Sequence, residues 1–302
     1  MMNPGSSLKT IRHAIEYAGV LLFYALVRLT PPSQRDQLAR LLAALARFFT
    51  RSRVRVARYN LQLVFSESTP AEVTQVVRGV YLNLAQNAID LVDPYGALRR
   101  VDVPPHARAQ VDRIQALLAA KRPVIIATGH FGGWETLGQV AGREFRGCVF
   151  LALEQSNKRV NRFLNRLRLT GAATIIQSHE ASRALPKAFK QGLPVYMVAD
   201  QDGGNEGIVV DFMGTPASYH RGVATFSLHY GAPIAVVFLL RQGRKLILHV
   251  ADLIEPDPAS DRNAEVTRLM SLYSDRLGRM VRSHPEQWLW THRRWKSTIG
   301  KY

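Results

Sequence analysis

Val73, Val76, Val77, Val80, Tyr81 and Leu84 recur at i, i+3 and i+4 and form one apolar face of a helix. Thr69-Pro70-Ala71-Glu72 supplies its start, with Thr69 as N-cap, Pro70 at the first helical position and Glu72 closing a capping box. The helix is expected to run to about Leu91, where Asp93-Pro94-Tyr95-Gly96 breaks it. Val103-Pro104-Pro105 marks a further connector, and residues 8–100 read as mainly helical.

From about residue 110 the period changes to helices alternating with short apolar strands. The pattern predicts helix 108–120, strand 123–128, a helix from about 134, strand 148–153, a basic helix 157–169 and strand 172–176. Helix 180–191, strand 194–199, helix 221–230, strands 233–240 and 245–251, and helix 262–282 follow. This alternation predicts an α/β fold, a central, mostly parallel sheet flanked by helices. Functional groups in such sheets collect at the carboxyl ends of strands, and His130 and Asp200 both follow such ends. The expected organisation is a membrane-associated helix in 1–30, a helical region in 31–105, and a catalytic α/β core in 106–302 continuous with it.

The run Tyr17–Val27 is uncharged and bounded by Glu16 and Arg28. Eleven helical residues reach about 16 Å against a hydrocarbon core of about 30 Å, too short to span unless flanking residues join and the ends snorkel. No small-residue cleavage site follows, so a removable signal peptide is not expected. An ordinary core helix is one reading; a helix lying in, or shallowly inserted into, a membrane is the preferred one. Arg47, Arg51, Arg53, Arg55 and Arg58 follow with no acid among them, and an apolar helix beside a basic cluster suits an anionic leaflet.

Charge widens the list of partners. Forty basic against 23 acidic side chains leave +17, which implies a polyanion: nucleic acid, anionic lipid headgroups or an acidic carrier protein. No helix-turn-helix, zinc-finger or aromatic RNA-binding signature accompanies the arginines, which argues against nucleic acid. The single cysteine, Cys148, excludes an intramolecular disulfide and a cysteine-rich zinc site, and its strand context suits a buried thiol.

The chemistry concentrates in Gly129-His130-Phe131-Gly132-Gly133-Trp134-Glu135-Thr136, between a predicted strand and a predicted helix. On one continuous helix His130 and Glu135 would diverge by about 140°. They converge only if His130 lies in the preceding loop, which Gly132-Gly133 permits. Glu135 could then accept a bond from one imidazole nitrogen, leaving the other to take a proton from a hydroxyl. A structural loop histidine is the plainer reading; the strand-loop-helix setting points to a general base. Asp200 and Asp202 could form a metal pair or, preferably, a polar prop for the site. Lys158, Arg159, Arg162, Arg166 and Arg168 share one basic helix, whose ordinary reading is a solvated face. Gly214 reads as a tight turn. Trp288-Leu289-Trp290-Thr291-His292-Arg293-Arg294-Trp295-Lys296 suits a membrane-interface belt or a single-strand nucleic-acid platform.

His130, four residues and Glu135 match the H-x4-D/E motif of membrane acyltransferases. With Tyr59-Asn60-Leu61-Gln62-Leu63-Val64-Phe65, Asp200-Gln201-Asp202-Gly203, Val210-Asp211-Phe212-Met213-Gly214-Thr215-Pro216-Ala217 and the segment from Pro285 to Lys296, the chain resembles the lipid A biosynthesis acyltransferase family over nearly its whole length. The resemblance implies transfer of a fatty acyl group from acyl carrier protein or acyl-CoA to a hydroxyl of a lipid A precursor, or of another glycolipid such as a phosphatidylinositol mannoside. It implies an N-terminal anchor in the bacterial inner membrane, a catalytic core on the cytoplasmic face, and no metal or cofactor. His130 would be the base and Glu135 its orienting carboxylate. Asn161 and Arg168 resemble the family's Asn and Arg in the basic helix, with Arg166 the competing choice because the usual spacer is longer. The segment around Gly214 would lie near the acyl site, with Phe212 and Met213 on the acyl chain or in the core. Arg293 or Arg294 would approach the headgroup, and His292 would be structural.

Overall fold

The computed structural model describes residues 4–145, 147–152, 154–169 and 173–300. Leu153 and Ala172, expected ends of two strands, lie outside the described residues.

The first hundred residues form helices α1 (Pro4–Leu29), α2 (Arg35–Phe49), α3 (Arg51–Val64), α4 (Pro70–Val92) and α5 (Pro94–Leu98). The capping box at α4 is present: Glu72 N–H donates to Thr69 Oγ1 at 3.3 Å and Thr69 N–H to Glu72 Oε2 at 2.7 Å. Asp93 ends α4 and starts α5, its carboxylate accepting the Gly96 N–H at 3.2 Å. α1 is longer than its uncharged run, because Arg12 and Glu16 pair one turn apart at 3.4 Å and the helix continues through them. Lys9–Leu29, 21 residues, is long and apolar enough to cross a membrane, about 32 Å of helix against about 30 Å of hydrocarbon. The flanking residues thus join the uncharged run in one helix, the condition under which it would be long enough to span.

The remaining strands are β1 (Val101–Asp102), β2 (Ile125–Thr128), β3 (Cys148–Ala152), β4 (Ala173–Gln177), β5 (Val195–Val198), β6 (Ile208–Phe212), β7 (Thr215–Tyr219), β8 (Ile234–Gln242) and β9 (Lys245–Ile254). Seven of them make one sheet in the order β1-β9-β8-β2-β5-β3-β4. β8, β2, β5, β3 and β4 are parallel, while β9 returns antiparallel beside β8. Helices α6 (Pro105–Ala119), α7 (Trp134–Glu144), α8 (Lys158–Arg168), α9 (Ala181–Lys190), α10 (Gly222–Tyr230), α11 (Arg262–Ser283) and α12 (Lys296–Ile299) complete the chain. The fold is α/β, with a mostly parallel sheet flanked by helices. The hairpin β6–β7 escapes the apolar pattern because it stands outside the main sheet; Met213 and Gly214, both at positive φ (59° and 88°), make its turn.

Successive residues of β2 feed opposite faces, as strands covered on both sides require. Ile125 and Ala127 join a core with Val73, Val77 and Val80 of α4, so the helical region and the sheet share one interior. Ile126 packs on the other face with Leu137 and Val140 of α7. Here α7 approaches closely: a Cβ at Gly138 would meet Phe150 Cε1 at 1.9 Å. Gly138→Ala is therefore expected to cost about 1–3 kcal/mol by overpacking. Thermal unfolding of the purified variant checks this; an unchanged midpoint would mean that α7 can shift away without loss.

Candidate active site

β2 and β5 pair in parallel with Thr128 opposite Val198. Each chain continues two residues beyond that pair, to His130 and to Asp200, so two adjacent strands about 4.8 Å apart deliver an imidazole and a carboxylate to the same spot. His130 Nδ1 lies 2.6 Å from Asp200 Oδ1, and the His130 backbone N–H donates to Oδ2 at 2.7 Å. Trp288 Nε1–H donates to the same Oδ2 at 2.8 Å. Asp200 is buried, 2% exposed, and both its oxygens are engaged.

This arrangement sets the tautomer. A proton on Nδ1 satisfies Asp200 and leaves the lone pair on Nε2, the chemistry of a general base. The His130 side chain is 22% exposed, and Trp134 packs edge-on against it with ring centroids 5.6 Å apart. Burial alone would depress the imidazole pKa; the charge and hydrogen bond of Asp200 outweigh it, Glu135 adds to the rise and Arg168 opposes it, so the net direction is upward. Asp200 moves the other way: burial raises its pKa, and the charge and bonds of His130 bring it below the ordinary carboxylate value.

The carboxylate that meets the His130 ring is thus Asp200, where the spacing of the octapeptide suggests Glu135. Glu135 lies in the first turn of α7 and is taken by Arg168 from the last turn of α8. The guanidinium grips it in a fork, Nε to Oε2 at 2.9 Å and Nη2 to Oε1 at 2.6 Å. Strand register brings Asp200 to the ring, and the arginine fork holds Glu135 one layer away. Arg166 is exposed, whereas Arg168 shares a helix face with buried Asn161, seven residues earlier. Asn161 Oδ1 accepts the Gln155 N–H at 3.2 Å and so ties down the loop after β3.

Asp202 serves other partners than Asp200 does. It accepts from Ser297 N–H at 2.9 Å, Ser297 Oγ at 2.6 Å and Gly204 N–H at 2.8 Å, and its own N–H donates to His292 Nε2 at 3.2 Å. Arg293 is exposed beside it, on the rim of a separate cavity. Gly214 is exposed on the β6–β7 turn, its N–H bonded to Asp211 at 3.1 Å. Phe212 and Met213 are buried in the interior, Phe212 against Trp288 with centroids 5.2 Å apart. His130, Glu135, Arg168 and Asp200 therefore come together, and Arg166 and Gly214 point elsewhere.

The residues that hold the His130–Glu135 loop escape a reading of apolar positions. Gly132 stands at φ +55°, and a Cβ there would meet Leu239 O at 2.1 Å. Its carbonyl accepts from Asn83 Nδ2 at 3.2 Å and Asn87 Nδ2 at 2.6 Å, and its N–H donates to Gln287 O at 2.9 Å. Gln287 exchanges two bonds with the Arg241 backbone, and the Arg241 guanidinium reaches Asn83 at 3.3 Å and Asp90 at 2.9 Å. The signal for this network is the polar stripe Asn83, Asn87 and Asp90, at i, i+4 and i+7, among the buried positions of the helix.

Glu135 and Arg168 should act as a unit. A double-mutant cycle with Glu135→Ala and Arg168→Ala, read in kcat/KM, is expected to give a coupling of about 0.5–3 kcal/mol. Strictly additive losses would mean that the two side chains work independently.

A base oriented by a buried carboxylate, beside a guanidinium–carboxylate pair at the carboxyl edge of a parallel sheet, is equipped to activate a hydroxyl. A search of curated proteins returns no match to this chain. A family model described as bacterial lipid A biosynthesis acyltransferase matches residues 2–297. That span contains every group of the site described above, and the chain belongs to the bacterial lipid A biosynthesis acyltransferase family.

Proposed function

We propose that this acyltransferase moves a fatty acyl chain from a thioester, carried by acyl carrier protein or CoA, to a hydroxyl of a lipid A precursor. The observation that carries the mechanism is the 2.6 Å bond from His130 Nδ1 to buried Asp200, which leaves Nε2 as the proton acceptor. Nε2 takes the acceptor's hydroxyl proton as its oxygen attacks the thioester carbonyl. The new C–O bond forms, the C–S bond breaks, and the imidazolium returns its proton to the departing thiolate. Asp200 stabilises the imidazolium throughout. Arg168, held by Glu135, supplies positive charge near the developing oxyanion, and Asn161 supports the same helix face.

Membrane attachment through residues 1–30 fits the same reading, with 31–105 as a helical platform and 106–302 as the catalytic core. Ile15 and Leu22 of α1 are 68% and 73% exposed. Leu41, Leu45, Phe48 and Phe49 form a second exposed apolar stripe on α2, with Arg51 stacked on Phe48 at 5.0 Å. Apolar faces beside arginines suit the anionic cytoplasmic leaflet of the inner membrane. Replacing Leu41, Phe48 and Phe49 by Ser should reduce co-flotation with anionic vesicles; undiminished flotation would remove α2 from the membrane surface.

His130→Ala should lower turnover by about 10²–10⁴-fold, the range general-base catalysis supplies. Only the neutral imidazole accepts a proton, so kcat/KM should rise with pH through the His130 pKa, displaced above the ordinary value of about 6.5. Asp200→Asn removes the charge that raises this pKa and leaves the burial that lowers it. The rising limb should then move to lower pH while kcat falls. Wild-type turnover in His130→Ala, or an unmoved limb in Asp200→Asn, would refute the base assignment.

A further inference from the structure

We infer that the cavity between the first turn of α3 and the C-terminal segment is a phosphate-binding site that receives a phosphate ester of a substrate. The identity of that substrate rests on the acyltransferase reading; the anion site itself rests on the following geometry.

One wall is set by α3. Arg53, Val56 and Asn60, spaced by three and seven residues, share a helix face. Asn60 is buried, and its Nδ2 donates to Trp290 O at 2.8 Å and His292 O at 2.7 Å. That face is bolted to the C-terminal segment, so Arg53 overhangs the cavity. On the opposite wall Arg294 and Trp295 are fully buried, while Arg293 and Lys296 on either side of them are exposed on the cavity rim. The Arg294 guanidinium lies 3.9 Å from the Tyr219 ring centroid, and Asp202 anchors Ser297, so the backbone is held next to each exposed cation.

The cavity is open, about 590 Å³, and is lined by Arg53, Arg293, Lys296, His292, Asp202 and Ser52 among others. Among the described residues none of the three cations is in an ion pair. The carboxylate lining the cavity, Asp202, already takes bonds from Ser297 and Gly204. A contrasting cleft of about 220 Å³ lies between α2, α4 and the β8–β9 turn. There Arg35 pairs with Asp93, Arg100 and Arg241 pair with Asp90, and Arg244 lies 3.8 Å from Asp36. Four of the five arginines lining that cleft stand against carboxylates, whereas Arg53, Arg293 and Lys296 around the α3 cavity do not, and a compact oxyanion is what the arginine forks and the Lys296 ammonium suit.

Position selects the kind of oxyanion. Asp202 stands two residues beyond Asp200, and Leu289 N–H donates to His130 O at 3.1 Å, so two of the three segments that line the cavity lead directly to the His130–Asp200 pair. A group bound here belongs to a molecule whose reacting end lies at His130. A phosphate ester is common to both candidates, the phosphopantetheine arm of the donor and a phosphorylated glycolipid acceptor.

The test uses the full chain in detergent micelles, with inorganic pyrophosphate as calorimetric probe. Wild type should bind it, and Arg53→Ala/Arg293→Ala/Lys296→Ala should weaken binding about 1,000-fold, roughly tenfold for each charge-assisted contact. The thermal midpoint should not move, because all three side chains are exposed, and Arg293→Lys should retain most of the affinity. Equal affinity in wild type and triple variant would overturn the site. Kinetics then locate the source. A rise in KM for acyl-CoA but not for an acyl-pantetheine lacking phosphate assigns the site to the donor. A rise for a phosphorylated acceptor but not its dephosphorylated form assigns it to the acceptor, and no rise for either phosphorylated substrate overturns the proposal. His130→Ala should bind pyrophosphate as wild type does; pyrophosphate binding by a wild-type chain that transfers no acyl group would count against the acyltransferase reading and leave the anion site standing.

Discussion

The parallel pairing of β2 with β5 sets Thr128 opposite Val198, and the chemistry of the site depends on that register. A slip by one residue would carry Asp200 away from the imidazole and leave a buried carboxylate short of donors. Both strands are apolar on both faces, so alternation of polar and apolar residues cannot choose the register for them. Bonds at the strand ends do so instead. Tyr273 Oη donates to Thr128 O at 2.7 Å, Ala199 N–H donates to the same oxygen at 2.9 Å, and Trp288 caps Asp200. Each of these groups is buried, so a wrong register would strand several polar atoms at once, at about 1–3 kcal/mol apiece.

A second constraint acts from the opposite side of the loop. Asn83 and Asn87 of α4 hold the carbonyl of Gly132, and Gln287 holds its N–H. The His130–Glu135 loop is thereby clamped between a helix from the first hundred residues and the C-terminal segment. Behind the clamp stands the buried pair of Arg241 with Asp90. Buried ion pairs add little net stability over well-packed apolar groups, and breaking one is costly. What this one contributes is position: it ties the end of β8 to α4, and α4 to the loop. The helices that carry the exposed apolar faces are consequently continuous, through α4, with the loop that carries His130.

Much of this was legible in the sequence because it is local. The capping box of α4 and the alternation beyond residue 110 depend on spacings of two to four residues. His130 and Asp200 could each be placed at a strand end, yet strand order is a long-range property, and nothing local makes β2 and β5 neighbours. The same gap explains Glu135: five residues from His130, it was the nearest carboxylate along the chain, whereas Asp200, seventy residues away, is the nearest in space. Arg168 completes the exchange by claiming Glu135 from a different helix. The hairpin β6–β7 was hidden for a related reason, since Phe212 and Tyr219 point into an aromatic cluster that the C-terminal tryptophans complete only in three dimensions.

The charge surplus also changes meaning once it is placed. As a composition it is one number, +17, compatible with any polyanion. In the fold it divides. Some arginines, such as Arg35, Arg100 and Arg241, are consumed by carboxylates and hold elements together. Arg51 lies against Phe48 on the apolar stripe of α2, where a cation complements a surface and not a cavity. Arg53, two residues further, faces the C-terminal segment with Arg293 and Lys296. Because α3 turns by about 100° per residue, neighbours along its first turn are directed to different surroundings. One basic run thus serves two environments, and a partner inferred from net charge alone would have conflated them.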